Sequence, residues 1–446
     1  MFKKGEKMKK LLEKFKLDGF WKNLLKNSLW AFLGESIASF IGLIITIILI
    51  KKLGSDKYGI LVLAQSYMLI MDAVINVQSW KSVIQFGQKS LVKKDYKNLN
   101  SYIKLGTILD MSTAVLCCII SFFFPLFLGS IFSWSNEMIL CCEIFSITII
   151  SHFSGTPTAI LRIYDKFHLV ALQKFISAII KLFSLFIVLF YFNETSLILI
   201  TIIYCITDVI GNLLLVIFAI LVLKRKTQIK TIIKSKLPDD RQKFISFTLW
   251  GTLSEIVDVP VNYFDMFIVS LLGTDYVAVF KVFKQIVAIL QKITSPLQQA
   301  IMPQFSELKA QMNETKGYEI VIKIQKISFY MILPISLIIG LTSPIWLKII
   351  YNDIYAGKWY ILLLYLLTQS VALSYTTIHP YFLSLNEPKR SFIYVLIANI
   401  VFIISSYILV FPLGMLGIVI SYTIQYSIVI CLKLNYIKTK VLKLKS

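Results

Sequence analysis

A chain of 446 residues that is 57% hydrophobic and only 16% charged, with mean hydropathy +0.76, does not fit a soluble globular protein. In those, nearer a quarter of the residues carry charge. Apolar stretches long enough to cross a bilayer core recur along the whole length, so an all-α polytopic membrane protein is expected, and the net charge of +22 needs a membrane explanation before a nucleic-acid one.

Residues 1–26 are basic but lack an apolar core closed by small residues, so they do not read as a secretory signal peptide. Met8, Leu11, Leu12 and Phe15 share one helical face among lysines. The segment fits a cytoplasmic amphipathic helix in the interface, or equally a solvated basic tail. Twelve spans follow, predicted at Asn27–Ile50, Gly59–Val83, Ile103–Leu128, Met138–Ile160, Leu169–Phe192 and Ser196–Leu223 in the first half. The second half holds Phe244–Leu272, Asp275–Met302, Ile327–Trp346, Trp359–Tyr381, Ser391–Val410 and Gly414–Leu432. Segments on the N-terminal side of the membrane carry most of the 46 lysines and arginines, and the opposite loops carry few. The positive-inside rule then places both termini in the cytoplasm. The excess charge becomes a cytoplasmic collar for anionic headgroups, with no nucleic acid required.

The basic loop at 224–243, KRKTQIKTIIKSKLPDDRQK, divides the spans into 27–223 and 244–432, with a tail at 433–446. Self-comparison supports two equivalent halves. LWAFLGE (Leu29–Glu35) matches LWGTLSE (Leu249–Glu255), LGSD (Leu53–Asp56) matches LGTD (Leu272–Asp275), and Gln85–Phe86 matches Gln304–Phe305, in order and at almost constant offset. Six spans per half is an even number, so the halves form a parallel repeat about an axis along the membrane normal.

The six cysteines lie inside apolar runs without CxxC spacing and read as small buried hydrophobes. His152, His168 and His379 form no cluster. Loops facing away from the cytoplasm are short, with the longest near IYNDIYAGK. They leave no room for an outer catalytic domain, and no Gly-rich phosphate cradle, HExxH or Ser/His/Asp constellation occurs. A two-lobed transporter with its site between the lobes is the expectation, not an enzyme.

Ionisable residues inside spans usually face a bundle interior or a watery cavity. Glu255, Asp258, Asn262 and Asp265 share one face of span seven, and Lys281, Lys284 and Lys292 one face of span eight. Gln65, Asp72, Asn76 and Ser79 do so in span two, Glu35, Gly42 and Thr46 in span one, and Tyr204, Asp208 and Asn212 in span six. With Gly273 as the turn, Asp265 and Lys281 lie at equal depth, roughly 12 Å down, and Asn262 and Lys284 at roughly 16 Å. Glu255 and Lys292 come next, with Pro260 loosening that match. Lys284 therefore faces only a neutral partner. The carboxylates can be neutralising counter-ions, or can hold the lysines of an anion-binding cavity while it is empty. Lys174 and Lys181 share a face of span five. Arg162, with Asp165 and Lys166, follows span four as positive-inside charge or as a headgroup contact at the inner gate. Pro157, Pro260, Pro334 and Pro380 are candidate kinks.

The span-one exit IKKLGSDKYGILVL and the loop GTPTAILRIYDKFHL carry a resemblance over nearly the whole chain. So do DMFIVSLLGTDYVAVFKVFKQI with SPLQQAIMPQFSEL, and LPISLIIGLTSPIWLKIIYNDIYAG. These stretches resemble the Wzx-type polysaccharide flippases of the multidrug/oligosaccharidyl-lipid/polysaccharide exporter superfamily. Phe280 stands where that family frequently has Tyr. The resemblance implies a MATE/MurJ-like fold, two six-helix lobes around a central cavity. It implies outward movement of undecaprenyl-diphosphate-linked oligosaccharide across the bacterial inner membrane by alternating access, for O-antigen or capsule. Membrane lipids, a polysaccharide polymerase and chain-length proteins would be the partners. Lys281, Lys284, Lys292, Asn262, Lys181 and Arg162 would line the substrate cavity. Glu35, Asp72, Glu255, Asp258, Asp265 and Asp208 would be its carboxylates, the first three forming a candidate H+ or Na+ site with no other cofactor. A multidrug cation antiporter of the same superfold would need a carboxylate-dominated cavity, which the span-eight lysines argue against. A membrane glycan polymerase or ligase would need larger outer loops.

Overall fold

Long apolar runs leave backbone groups no partner but their own neighbours, so the chain closes its hydrogen bonds within helices. The computed structural model describes residues 19–77, 79–132, 134–225, 229–310, 314–385 and 387–442. The first half runs α1 (Gly19–Leu53), α2 (Ser55–Ile75), α3 (Trp80–Val92), α4 (Tyr96–Phe132), α5 (Asn136–Thr148), α6 (Gly155–Ile163), α7 (Phe167–Phe186) and α8 (Leu197–Lys224). A short α9 (Ile229–Lys234) leads into the second half: α10 (Arg241–Ile256), a π-helical turn at Pro260–Phe264, α11 (Asp265–Ser270), α12 (Thr274–Ala310) and α13 (Glu314–Ile350). It ends with α14 (Asp353–Ala356), α15 (Trp359–Ser374), α16 (Ile378–Ser384), α17 (Pro388–Leu413) and α18 (Met415–Ile437).

Among the described residues, eleven helical stretches are long and apolar enough to cross a membrane. The remaining expected span is α12, a helix of 37 residues whose lysines and glutamines make it the polar one. Three turns on the face opposite the described chain ends rest on glycines at positive φ: Gly54 at 82°, Gly273 at 126° and Gly414 at 58°. Side chains with a Cβ avoid that region. The first two are the glycines of the repeated LGSD and LGTD.

Helix ends correct several expected boundaries. The amphipathic segment expected at 1–26 lies outside the described residues up to 18, and 19–26 already belong to α1. Within the 224–243 linker, 226–228 lie outside the described residues and α9 forms just after them. The last helix continues past Leu432, so Lys433, expected in the tail, is inside α18 and 3% exposed; 443–446 are outside the described residues. Spans two, four and seven are broken, after Ile75 at Asn76 and Val77, at Ile149–Ser154 and by the Pro260 turn. Pro157 falls in the first turn of α6, where its missing N–H costs no helix hydrogen bond. Pro334 lies inside α13.

The two halves pack largely within themselves, α1 on α7 and α5 on α8 in one, α13 on α15 and α17 on α18 in the other. Their outward faces keep large apolar side chains exposed, among them Phe123, Ile345 and Phe411. Such faces suit lipid and not water. Helix α12 is the seam, packing on α1 and α2 of the first lobe.

At the far face the lobes meet backbone to backbone. A Cβ on Gly59 would overlap the Thr274 carbonyl oxygen. Thr274 donates a hydrogen bond to Asp56, and the hydroxyls of Ser55 and Tyr355 lie 3.1 Å apart. Burial pushes the Tyr355 phenol up to about 12, so it stays a neutral hydrogen-bonding group. Gly59→Leu is expected to strain this closure by roughly 1–3 kcal/mol, as over-packing does. Crosslinking of a Ser55→Cys/Tyr355→Cys pair by a short bifunctional reagent should then fall several-fold; unchanged crosslinking would show that closure does not need the close approach.

Candidate functional site

The charged residues of the seam sort by depth. Deepest, Lys284 of α12 pairs with Asp265, Nζ to Oδ2 2.7 Å, and donates to the carbonyls of Asn262 at 2.8 Å and Val261 at 3.3 Å. Asp265 is fully buried and also accepts from the Tyr422 hydroxyl at 2.7 Å. This corrects the depth reading, which left Lys284 facing only Asn262. The π-helical turn widens the helix beside it, freeing carbonyls and shifting register, and the long lysine stem spans the remaining step. Asn262 contributes its carbonyl to Lys284.

Lys281, one turn away, makes no ion pair or hydrogen bond with the described residues. It lines a cavity of ≈ 310 Å³ with Lys181, Asp208, Tyr58, Thr46 and Gln285. Lys181 holds Asp208 at 2.6 Å and lies 4.4 Å from the centre of the Tyr204 ring. Gln285 donates to Thr46 at 3.0 Å, whose hydroxyl lies 2.9 Å from that of Tyr58, while Gln285 Oε1 is buried without a donor among the described residues. Two ammonium groups thus share one carboxylate in a hydroxyl-lined space. That arrangement is one negative charge short.

Towards the face bearing the described chain ends, Glu35 of α1 gathers cations. Lys174 pairs with it at 2.8 Å, and its charge acts on Arg162 and Lys292. Lys292, from the other lobe, donates to the Glu35 carbonyl at 2.8 Å and to the Ser39 hydroxyl. Arg162 stacks 4.7 Å over Trp80, and its Nε has no acceptor among the described residues.

The remaining candidates lie apart from this seam. Glu255 pairs with Lys81 at 2.7 Å, so the acidic stripe of span seven is split by the π turn: Glu255 and Asp258 line a second cavity and Asp265 the buried pair. Asp72 sits inside the first lobe, 3.1 Å from His152 Nδ1 and accepting from Asn76 at 2.9 Å.

Sequence reasoning missed Asp110, 1% exposed in α4. Its carboxylate accepts the Ser79 N–H at 2.8 Å, the Thr156 N–H at 2.6 Å and the Thr156 hydroxyl at 2.8 Å. One anion therefore satisfies the orphan donors at the starts of both α3 and α6, which accounts for the two breaks at one level. The signal was present: a lone Asp in TILDMSTAV with no basic residue within a helical turn. Among the described residues no group of three or more His, Cys, Asp or Glu could hold a metal ion, and the six cysteines are free.

The sequence model of the family described as "Polysaccharide biosynthesis protein" matches residues 24–309, and the chain belongs to that family. Its fold is similar to a multidrug resistance MATE family transporter in the inward-facing conformation, with TM-score 0.75 at 14% identity over 93% of this chain and 99% of that one. It is also similar to the lipid II flippase MurJ in an inward closed conformation, with TM-score 0.67 at 18% identity over 93% of this chain and 87% of that one. The inner membrane protein YghQ of Escherichia coli (strain K12) is 25% identical over 157 residues, 35% of this chain. The match spans 44% of that relative's length.

Proposed function

We propose that this protein is a flippase that moves undecaprenyl-diphosphate-linked sugar units from the cytoplasmic to the outer leaflet of a bacterial inner membrane, for surface polysaccharide such as O-antigen or capsule. The observation that carries the reading is the uncompensated cationic space of Lys281 and Lys181 between the lobes of a polysaccharide biosynthesis family member. A diphosphate supplies the missing negative charge and accepts from Lys281, while the prenyl chain remains in lipid. The surplus of Lys and Arg supports a cytoplasmic location for the face bearing the chain ends, with both termini inside. In that orientation the closely packed far end would be the periplasmic gate. The Glu35 cluster, with Arg162, Lys174 and Lys292, forms the first cationic step on that path.

Of the carboxylates proposed for ion coupling, Glu35 and Glu255 each hold a lysine, whereas Asp72 has only histidine and amide partners among the described residues. Asp72 is therefore the proton candidate, cycling with His152 as the lobe rocks. Polysaccharide polymerase and chain-length proteins would receive the product. A multidrug cation antiporter fits less well, because lipophilic cations would be repelled by Lys281.

The test is reconstitution into liposomes with fluorescent undecaprenyl-diphosphate-linked sugar in one leaflet. Transfer measured by accessibility to a membrane-impermeant quencher should depend on the protein. Transfer no faster than in protein-free vesicles, with cationic dyes transported instead, would sink the reading in favour of the antiporter.

A further inference from the structure

The second cavity has not been used by any step above. It measures ≈ 710 Å³, within the range of ligand sites, and lies in the second lobe between α10, α15, α17 and α18, with Lys81 of the first lobe on its rim. Lys433, 3% exposed, lines it. Its Nζ lies 3.1 Å from His379 Nδ1, and since an ammonium only donates, that nitrogen is the acceptor and the imidazole is neutral. The Ser391 hydroxyl lies 3.3 Å from the same nitrogen. One of three ammonium protons is therefore used, and no acceptor among the described residues takes the other two. Across the space, Asp258 is exposed to the cavity and forms no ion pair among the described residues. Thr376 Oγ1, also on the wall, is buried without a partner among the described residues.

This wall presents charges of both signs and so favours neither a second phosphate nor an organic cation. A second phosphate would face the carboxylates of Asp258 and Glu255. An organic cation would face Lys433. A neutral polyhydroxyl compound satisfies both sides, because each hydroxyl donates and accepts, and Tyr375, Tyr426 and Phe392 supply flat faces for sugar rings. We propose that this cavity is the glycan subsite, in which sugar hydroxyls donate to the Asp258 carboxylate and accept from the Lys433 ammonium while the diphosphate is held at Lys281. The inference rests on the flippase reading. It divides the substrate between the lobes, with the phosphates at the seam and the sugars in the second lobe. Selectivity for the glycan then resides in α10, α17 and α18 and not in the lysine seam.

The experiment compares two probes on the purified full-length protein in lipid nanodiscs: undecaprenyl diphosphate without sugar, and the lipid-linked oligosaccharide pool extracted from the producing cells. Asp258→Asn and Lys433→Gln should each weaken binding of the oligosaccharide pool about tenfold and leave the sugar-free lipid unchanged. Lys281→Ala should weaken both probes. Ser391→Ala, which removes no charge, should weaken the pool a few-fold and keeps the test readable if Lys433→Gln misfolds. Wild-type affinity for the pool in the Asp258 and Ser391 variants overturns the proposal, and so does an equal loss for both probes. Wild-type protein that binds neither probe overturns the flippase reading, and the glycan subsite with it.

Discussion

Lys281→Ala is expected to lower affinity for undecaprenyl diphosphate roughly 30-fold, about 2 kcal/mol, the scale of one hydrogen bond to a charged group. The folded protein should stay at wild-type abundance and thermal stability. The two halves of this result have one cause. Lys281 makes no ion pair or hydrogen bond with the described residues, so its removal leaves no buried acceptor behind. It does remove half of the ammonium charge in a space that holds only the Asp208 carboxylate. Lys281→Arg should keep most of the binding, since a guanidinium also donates to phosphate. Titration of the purified variants with the lipid, alongside thermal unfolding, makes the measurement. Wild-type affinity in Lys281→Ala would remove this lysine from the substrate site.

Lys284→Ala should behave in the opposite way. Its ammonium is the cationic partner of Asp265, whose carboxylate is fully buried and would be left, among the described residues, with the Tyr422 hydroxyl and the Met266 N–H. Removing one member of a buried pair costs about 3–5 kcal/mol, so a marked fall in thermal stability and in membrane abundance is expected. The double variant Lys284→Met/Asp265→Leu should recover much of that loss, because no unpaired charge remains. A Lys284→Ala protein with unaltered stability and abolished transport would instead return this residue to the substrate site. The adjacent lysines of one helix face therefore differ in kind: Lys284 holds the fold and Lys281 faces the cavity.

The contrast shows where sequence reasoning reached and where it stopped. The stripe Lys281–Lys284–Lys292 was legible, because a helix places residues three and four apart on one face whatever surrounds it. The pairing was not, because equal depth on an ideal hairpin assumes unbroken helices. Pro260 marked the disturbance, but its outcome, a π-helical turn that turns Asp265 to Lys284 and leaves Glu255 and Asp258 to another cavity, depends on packing against α17 and α18. Lys433 was misplaced for a related reason: the apolar run ends at Leu432, yet the helix continues because its next residues pack against α16. Asp110 escaped notice because two of its partners are backbone N–H groups, which have no letter in the sequence, and the third, the Thr156 hydroxyl, lies 46 residues away in the chain.

The sequence by itself determined the membrane class, the number and order of spans apart from their exact ends, the parallel repeat and the glycines at its turns. It also determined most of the ionisable residues inside spans, though not Asp110 or Lys433. These follow from hydropathy, helical period and local backbone sterics, all properties of short stretches of chain. Only the tertiary structure decided which lysine is satisfied and which faces empty space, where two spans break around one carboxylate, and that a second cavity exists beside the seam. Those depend on distances of a few ångström between helices far apart in sequence, where a single added residue in one turn changes which charge meets which.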